Sequence, residues 1–233
     1  MQRRSDLETF YGLLAEIQNR TGGKRLLREC HGRMNWPERG VYFFFEPGET
    51  RDGDMAFCRV VRVGTHALIA RSRTTLWKRI SQHRGTTDSC GGNHRCSIFR
   101  LLCGEALMTR DCIPQIQTWG KGSSAPWEIR TNERQHEAVV SQYLGAMTLL
   151  FLSVPDAPGS ESVRGIIERN AIALLSNYHE TTPDQSSSRW LGQFSSRGRV
   201  QRSGLWNNNH VDEQYDPAFL GLLENLVLQT PLI

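Results

Sequence analysis

A single carboxylate, Glu168, sits in an otherwise apolar helical segment, Val163-Arg164-Gly165-Ile166-Ile167-Glu168-Arg169-Asn170-Ala171-Ile172-Ala173-Leu174-Leu175. Upstream lie Gly40-Val41-Tyr42, then Arg62-Val63-Gly64, then Arg79 and His83 at helical i,i+4 spacing. One carboxylate for a metal, one phenol, one arginine and one imidazole are enough parts to cut a phosphodiester. With 3.6 residues per turn, Glu168 falls about 100° from the centre of the apolar face of its helix. That places it at the boundary of core and cleft; the alternative is a solvated surface glutamate.

The charge pattern favours a polyanionic partner. The net charge is only +4 over 233 residues. Yet residues 55–104 contain a single acidic residue, Asp88, against Arg59, Arg62, Arg71, Arg73, Lys78, Arg79, Arg84, Arg95 and Arg100. Residues 185–211 carry Arg189, Arg197, Arg199 and Arg202 and no acid. Such segregation suits phosphate neutralisation and counterion release, with ordinary solvated arginines as the alternative. The Gly91-Gly92-Asn93-His94-Arg95 loop and Arg100 are candidates for backbone and cation contact with phosphate. Trp190 and Phe194, among the second set of arginines, are candidates for base stacking. Cys90, Cys96, Cys103 and Cys112 cluster around His94 without a Cys-x-x-Cys pair, which makes zinc a weak reading beside plain thiols. The N-terminus reads as an amphipathic helix and not as a signal peptide. No run reaches the ~20 apolar residues that span a bilayer. A reduced, cytoplasmic protein with no membrane contact is expected.

The elements that must position these residues follow from periodicity. A capping box at Ser5-Asp6-Leu7-Glu8 opens a helix carrying Leu7, Phe10, Tyr11, Leu14 and Ile17, and Thr21-Gly22-Gly23 closes it. Residues 40–45 form an aromatic strand buried on both faces. Residues 46–55 read as a polar connection with Pro47-Gly48 and Asp52-Gly53 turn signals, leading to a return strand at 59–65. A helix over 74–84 has Leu76 and Ile80 as its stripe, with Arg79 and His83 projecting together from its edge. Residues 96–103 make a short strand or helix, 133–144 a helix, 147–154 a buried strand and 155–159 a turn. The Glu168 helix begins near Ser160 and buries Val163, Ile166, Ile167, Ala171, Leu174 and Leu175. Residues 181–204 read as a flexible arm. Asp216-Pro217 opens a last helix that packs through Phe219, Leu220, Leu222, Leu223, Leu226 and Val227. There is no internal repeat, and one domain over 1–233 is expected.

Gly40-Val41-Tyr42, Arg62-Val63-Gly64, an arginine helix and a glutamate helix, in that order, resemble the GIY-YIG nuclease domain. The matching pieces cover 40–84 and 147–207. The resemblance implies an α+β fold with a small three-stranded antiparallel sheet flanked by helices. Residues 1–39 would be a helical extension, 85–146 an insertion, and 181–233 a C-terminal arm and helix. It implies that Tyr42 is the general base beside the attacking water, that Arg79 stabilises the phosphorane, and that His83 helps in proton transfer. It makes Glu168 the single carboxylate ligand of Mg²⁺ or Mn²⁺, with an asparagine after the helix, Asn207 or Asn177, of which Asn207 in Trp206-Asn207 matches better. Arg62, His66, Arg71, Arg73, Lys78, Arg95, Arg100, Arg197, Arg199, Arg202 and His210 are then the candidate substrate contacts.

Arg62 departs from the family pattern, which has tyrosine there. The leading reading is a metal-dependent endonuclease on duplex DNA, of restriction type, reading DNA through its own insertions and acting as a homodimer on symmetric sites. A catalytically inactive nucleic-acid-binding module of the same fold, and a nuclease acting on RNA or branched DNA, stand beside it.

Overall fold

Period-two alternation along three apolar strands decides the architecture. In the computed structural model, which describes residues 2–51, 54–86, 91–179 and 184–232, these strands are β2 (Gly40–Arg51), β3 (Asp54–Gly64) and β4 (Thr148–Ser153). A two-residue strand, β1 (Arg25–Leu26), adds to the far side of β4. The expected three strands are therefore four, antiparallel, in the order β1-β4-β2-β3.

Both faces of this sheet are buried. Val41, Phe43, Phe45, Leu150 and Leu152 point to one side, under α1 (Gln2–Arg20), α5 (Val163–Leu175) and α7 (Ala218–Gln229). Tyr42, Phe44, Val61, Leu149 and Phe151 point to the other, under α2 (Leu76–Arg84), α3 (Ile98–Arg110) and α4 (Trp127–Gly145). Each fully buried Leu or Phe contributes about 1.5–3 kcal/mol, so two such layers fix which side of β2 every residue occupies. A register slip of one residue would exchange the two cores.

Several expectations shift. α1 begins at Gln2, so the Ser5-Glu8 box lies inside the helix instead of capping it. Gly22 and Gly23, with positive φ, do close it. The connection expected at 46–55 is mostly strand, because β2 and β3 continue pairing past irregular register at Phe45 and Thr50. The Asp52-Gly53 turn lies outside the described residues. On α5, Ile166, expected on the buried face, is exposed, and Arg164, to which no position was assigned, is buried. The arm expected over 181–204 packs down from Asp184 onward: Trp190, Leu191 and Val200 are buried, and α6 spans Gly198–Ser203. Glu46 explains why it is held. Its buried carboxylate accepts hydrogen bonds from the Trp190 and Trp206 indoles and from Tyr143. No helix among the described residues is long and apolar enough to cross a membrane.

Candidate active site

The site forms where β2 begins and β3 ends. Tyr42 lies opposite Gly64 across the strand pair. A Cβ on Gly64 would sit 2.3 Å from the Tyr42 hydroxyl, and one on Gly40 would sit 2.3 Å from the Leu152 carbonyl oxygen. Both motif glycines are thus explained by close approach and not by turn geometry.

The Tyr42 hydroxyl lies 2.8 Å from His83 Nε2, and His83 Nδ1 lies 2.7 Å from Ser97 Oγ. Tyr42 and His83 are wholly buried and Ser97 nearly so. His83 therefore does not project from the edge of α2 beside Arg79, as its spacing suggests; it turns into the core with Leu76 and Ile80. Ser97 caps α3 by accepting from the Arg100 amide. With two lone pairs, the Ser97 oxygen can also accept from His83 Nδ1–H, and in that tautomer Nε2 is free to accept from the Tyr42 hydroxyl; the other tautomer reverses both bonds. Burial, with Arg79, Arg62 and Arg100 around it, holds the His83 pKa well below the usual range. The ring is neutral.

Glu168 is half-buried on α5, and Oε1 accepts from the Thr65 amide at 3.0 Å, one residue beyond Gly64. Burial raises its pKa, opposed by Arg62, the Thr65 hydrogen bond, His210 and Arg79. These residues therefore share one electrostatic neighbourhood. Arg62 is buried, lies over the Phe99 ring at 4.8 Å and donates to the Trp206 carbonyl, leaving its Nε without a partner. Arg79 is half-buried, and its guanidinium reaches Gln82 and the Cys96 carbonyl.

Asn207 is placed differently from a substrate ligand. Its amide clamps the edge of β3, accepting from the Val63 amide at 3.1 Å and donating to the Val63 carbonyl at 2.8 Å. With the Trp206 amide on the Val61 carbonyl, this seals an open strand edge next to Gly64. Asn177 lies elsewhere, bonded to Arg3 and the Asp184 carbonyl. The resemblance left the two asparagines open; geometry sets Asn207 beside the site.

His66, just past Thr65, is buried with Nε2 near the Glu38 carbonyl and Nδ1 unpartnered. Burial, with Arg164, Arg79 and Arg39 nearby, pushes its pKa down to about 4. His210 has φ +63° and holds Glu213 through Nδ1 at 2.8 Å. Arg71, Arg73 and Lys78 are exposed, and their side chains make no hydrogen bond or ion pair among the described residues.

Other candidates are corrected. Arg100 is wholly buried, ion-paired to Glu137 at 2.6 Å. Arg95 grips Glu133 with two hydrogen bonds, and His94 donates to Glu137 while stacking on Trp119. Residue 92 is glycine at a crowded position, because a Cβ there would meet the Arg100 guanidinium at 2.1 Å. The 91–95 loop thus shapes an interior salt-bridge network and does not present amides to phosphate. Arg199 is ion-paired to Asp212, Arg202 lies over Tyr178, and Arg197 stays exposed near Glu105. Trp190 is buried, unavailable for stacking on bases, whereas Phe194 is exposed. Cys96, Cys103 and Cys112 are free thiols, no three-residue metal cluster occurs among the described residues, and Cys90 lies outside them.

Thr65, Ser97 and Arg164 escaped the sequence reading. Ser97 before an apolar helical run carries an N-cap signal. Thr65 contributes only a backbone amide, which no residue-type pattern reveals.

A divalent cation fits the donor set. Glu168 has one oxygen committed to Thr65 and the other without a protein donor among the described residues. Its burial-raised pKa is the mark of a carboxylate lacking a full counter-charge. A hard cation that keeps most of its waters needs no more than one protein carboxylate.

The buried histidines give a pH prediction. His66, His83 and His136 all have lowered pKa values, with burial as the first cause. Each is neutral in the fold and takes up a proton on unfolding, so stability falls as pH drops below about 6.5. Buried Glu46 and Glu168 act in the opposite direction, their pKa values being raised by burial. A difference measurement separates the contributions. His83→Gln is expected to flatten the stability-against-pH line between pH 6 and 5 by about 1.4 kcal/mol per pH unit. Urea unfolding of the two proteins across that range checks it, and parallel lines would mean that His83 titrates normally.

A family model described as the GIY-YIG domain matches residues 1–232. No curated protein and no solved structure matches the chain.

Proposed function

The chain belongs to the GIY-YIG nuclease superfamily, and on that premise we propose that it is a divalent-metal-dependent endonuclease that hydrolyses phosphodiester bonds in duplex DNA, of restriction type. The observation that carries this reading is the gathering of Tyr42, His83, Arg62, Arg79 and Glu168 around one strand end, with one Glu168 oxygen held by Thr65 and the other without a protein donor among the described residues.

Each residue has a role its surroundings support. Glu168 holds Mg²⁺ or Mn²⁺, which supplies Lewis-acid stabilisation of the phosphate. Tyr42 takes a proton from the attacking water as its own hydroxyl proton passes to His83 Nε2, 2.8 Å away. His83, in the tautomer that holds its proton on Nδ1 against Ser97, orients that phenol and receives its proton at Nε2. Arg79 lends a planar guanidinium to the phosphorane. Arg62 replaces a phenol with a permanent charge that faces both Tyr42 and Glu168. Asn207 acts by holding β3 in place. Arg71, Arg73, Lys78 and Arg197 remain for phosphate contact, and a homodimer would suit a symmetric site.

The test is supercoiled plasmid with Mg²⁺, with and without EDTA, beside Arg79→Ala. Wild type is expected to nick and linearise the plasmid, EDTA to stop it, and Arg79→Ala to slow it about a hundredfold or more, the scale of one lost transition-state donor. Wild-type protein that is inert yet shifts DNA at low salt would replace this reading with that of a binding module, and Arg62 would be its cause. Discrete fragments mark sequence-specific cutting, whereas preference for single-stranded RNA or branched DNA would overturn the duplex assignment.

A further inference from the structure

The segment between β3 and α2 carries a large apolar side chain at its tip. Ile69 is 79 % exposed, in the loop that leaves Thr65, the residue whose amide holds Glu168. Single exposed apolar residues are ordinary. Here four further features converge on one.

First, Arg164, wholly buried on α5, grips the base of the loop by donating to the His66 and Ala67 carbonyls at 2.9 and 2.8 Å. Second, Leu68 leans back on α5, within 3.1 Å of where a Gly165 Cβ would be. Leu68, 37 % exposed, thus keeps one side against α5, and Ile69 is the more exposed of the two. Third, Ala67 and Arg71 both hold positive φ, +56° and +64°. The Ser72 amide bonds to the Ile69 carbonyl at 3.1 Å, so Arg71 is the third residue of a turn that ordinarily favours glycine there. Strain of this kind persists only where the surroundings enforce it, and it concentrates at functional sites. Fourth, Arg71 and Arg73 follow the tip two and four residues on, exposed and without ion-pair partners among the described residues. The loop springs from Thr65, whose amide holds Glu168.

We propose that residues 66–75 are a wedge for duplex DNA: Ile69 enters between base pairs beside the bond to be cut, and Arg71 and Arg73 seat on the flanking phosphates. The proposal rests on the nuclease reading for its ligand class. An exposed aliphatic tip followed by two exposed cations fits a duplex, because an apolar wedge unstacks one step and bends the helix toward the protein. The cations provide the sequence-independent attachment. Bending there would turn the scissile phosphate toward Glu168 and Arg79 and favour steps that unstack easily, a source of selectivity that needs no base-edge contact.

The test reads DNA topology and does not depend on cutting. A nicked plasmid is closed by ligase with the Glu168→Gln protein bound, and the topoisomers are then resolved. Unstacking and unwinding at the wedge are expected to shift the distribution toward negative supercoiling. Ile69→Ala, in the same Glu168→Gln background, is expected to abolish the shift while still retarding DNA on a gel. In the otherwise wild-type protein Ile69→Ala is expected to slow plasmid cutting. Arg71→Ala and Arg73→Ala are each expected to weaken binding and reduce the salt slope by about one. Ile69 is exposed, so its substitution leaves the fold intact. Topoisomers unchanged by protein that binds, or shifted equally by Ile69→Ala, would overturn the wedge, and would do so even if the plasmid is cut normally. A shift that needs Ile69 from a protein whose wild type never cuts would support the wedge and overturn the nuclease reading instead.

Discussion

Glu168→Gln is expected to abolish plasmid cutting, by about a thousandfold or more, while leaving the protein as stable as before or more so at neutral pH. The first half follows from the proposed role. Losing several kcal/mol of metal-based transition-state stabilisation corresponds to about three decades in rate or more. The second half follows from the site itself. Burial raises the Glu168 pKa above its ordinary value, so the ionised form is less favourable in the fold than in the unfolded chain. A glutamine keeps the shape and the acceptor for the Thr65 amide and removes the charge. A residue whose neutralisation raises stability and destroys activity is held for function. Two readouts check the pair: plasmid nicking, and thermal melting with and without Mg²⁺. Wild type should gain stability as Mg²⁺ is added, and Glu168→Gln should not. Full activity in Glu168→Gln, or an equal Mg²⁺ shift in both proteins, would remove Glu168 from the metal.

How much of this was legible in the sequence depends on the kind of signal each residue carries. The strands with Tyr42 and Arg62, the α2 stripe and the Glu168 helix were readable because their apolar periods match their elements. Glu168 at the boundary of core and cleft was readable for the same reason. The roles of the arginines were not, because an unbroken basic run looks the same whether its members are solvated or paired. The acids that neutralise Arg95 and Arg100, Glu133 and Glu137, lie on α4, more than thirty residues away in sequence. Arg62 and Arg164 likewise find their acceptors on carbonyls brought close only by the fold. The 181–204 segment misled because its apolar residues, Trp190, Leu191 and Val200, follow no period. They dock singly, around the buried Glu46 carboxylate on β2. Residues 85–146, expected as an insertion, prove coupled to the site, since Ser97 from that stretch completes the Tyr42–His83 pair.

Arg100 makes the difference between a solvated and an interior arginine measurable. Sequence placed it among the phosphate contacts; the structure gives it Glu137 through Nε at 3.0 Å and a terminal nitrogen at 2.6 Å, the His83 carbonyl at 3.0 Å and Ser141 Oγ at 2.8 Å. Burial pushes the Glu137 carboxyl up, and hydrogen bonds from His94 and Arg100 bring it below its ordinary range. Removing the arginine strands that carboxylate in the interior. Arg100→Ala is therefore expected to cost about 3–5 kcal/mol of stability, the usual result of deleting one partner of a buried pair. For a chain of this length that is a fall in Tm of about 10 °C, at 2–4 °C per kcal/mol. At temperatures where the variant is still folded, its affinity for DNA and the salt slope of binding are expected to match wild type, in contrast to Arg71→Ala and Arg73→Ala. Arg100→Met combined with Glu137→Gln is expected to recover part of the loss, because the second change removes the stranded charge while Gln can still accept from the His94 amide. Because Arg100 also holds the His83 carbonyl and its own amide is capped by Ser97, cutting by the folded variant should fall in kcat with KM unchanged. A variant that melts like wild type but binds DNA more weakly would return Arg100 to the surface and undo the interior network argued from the structure.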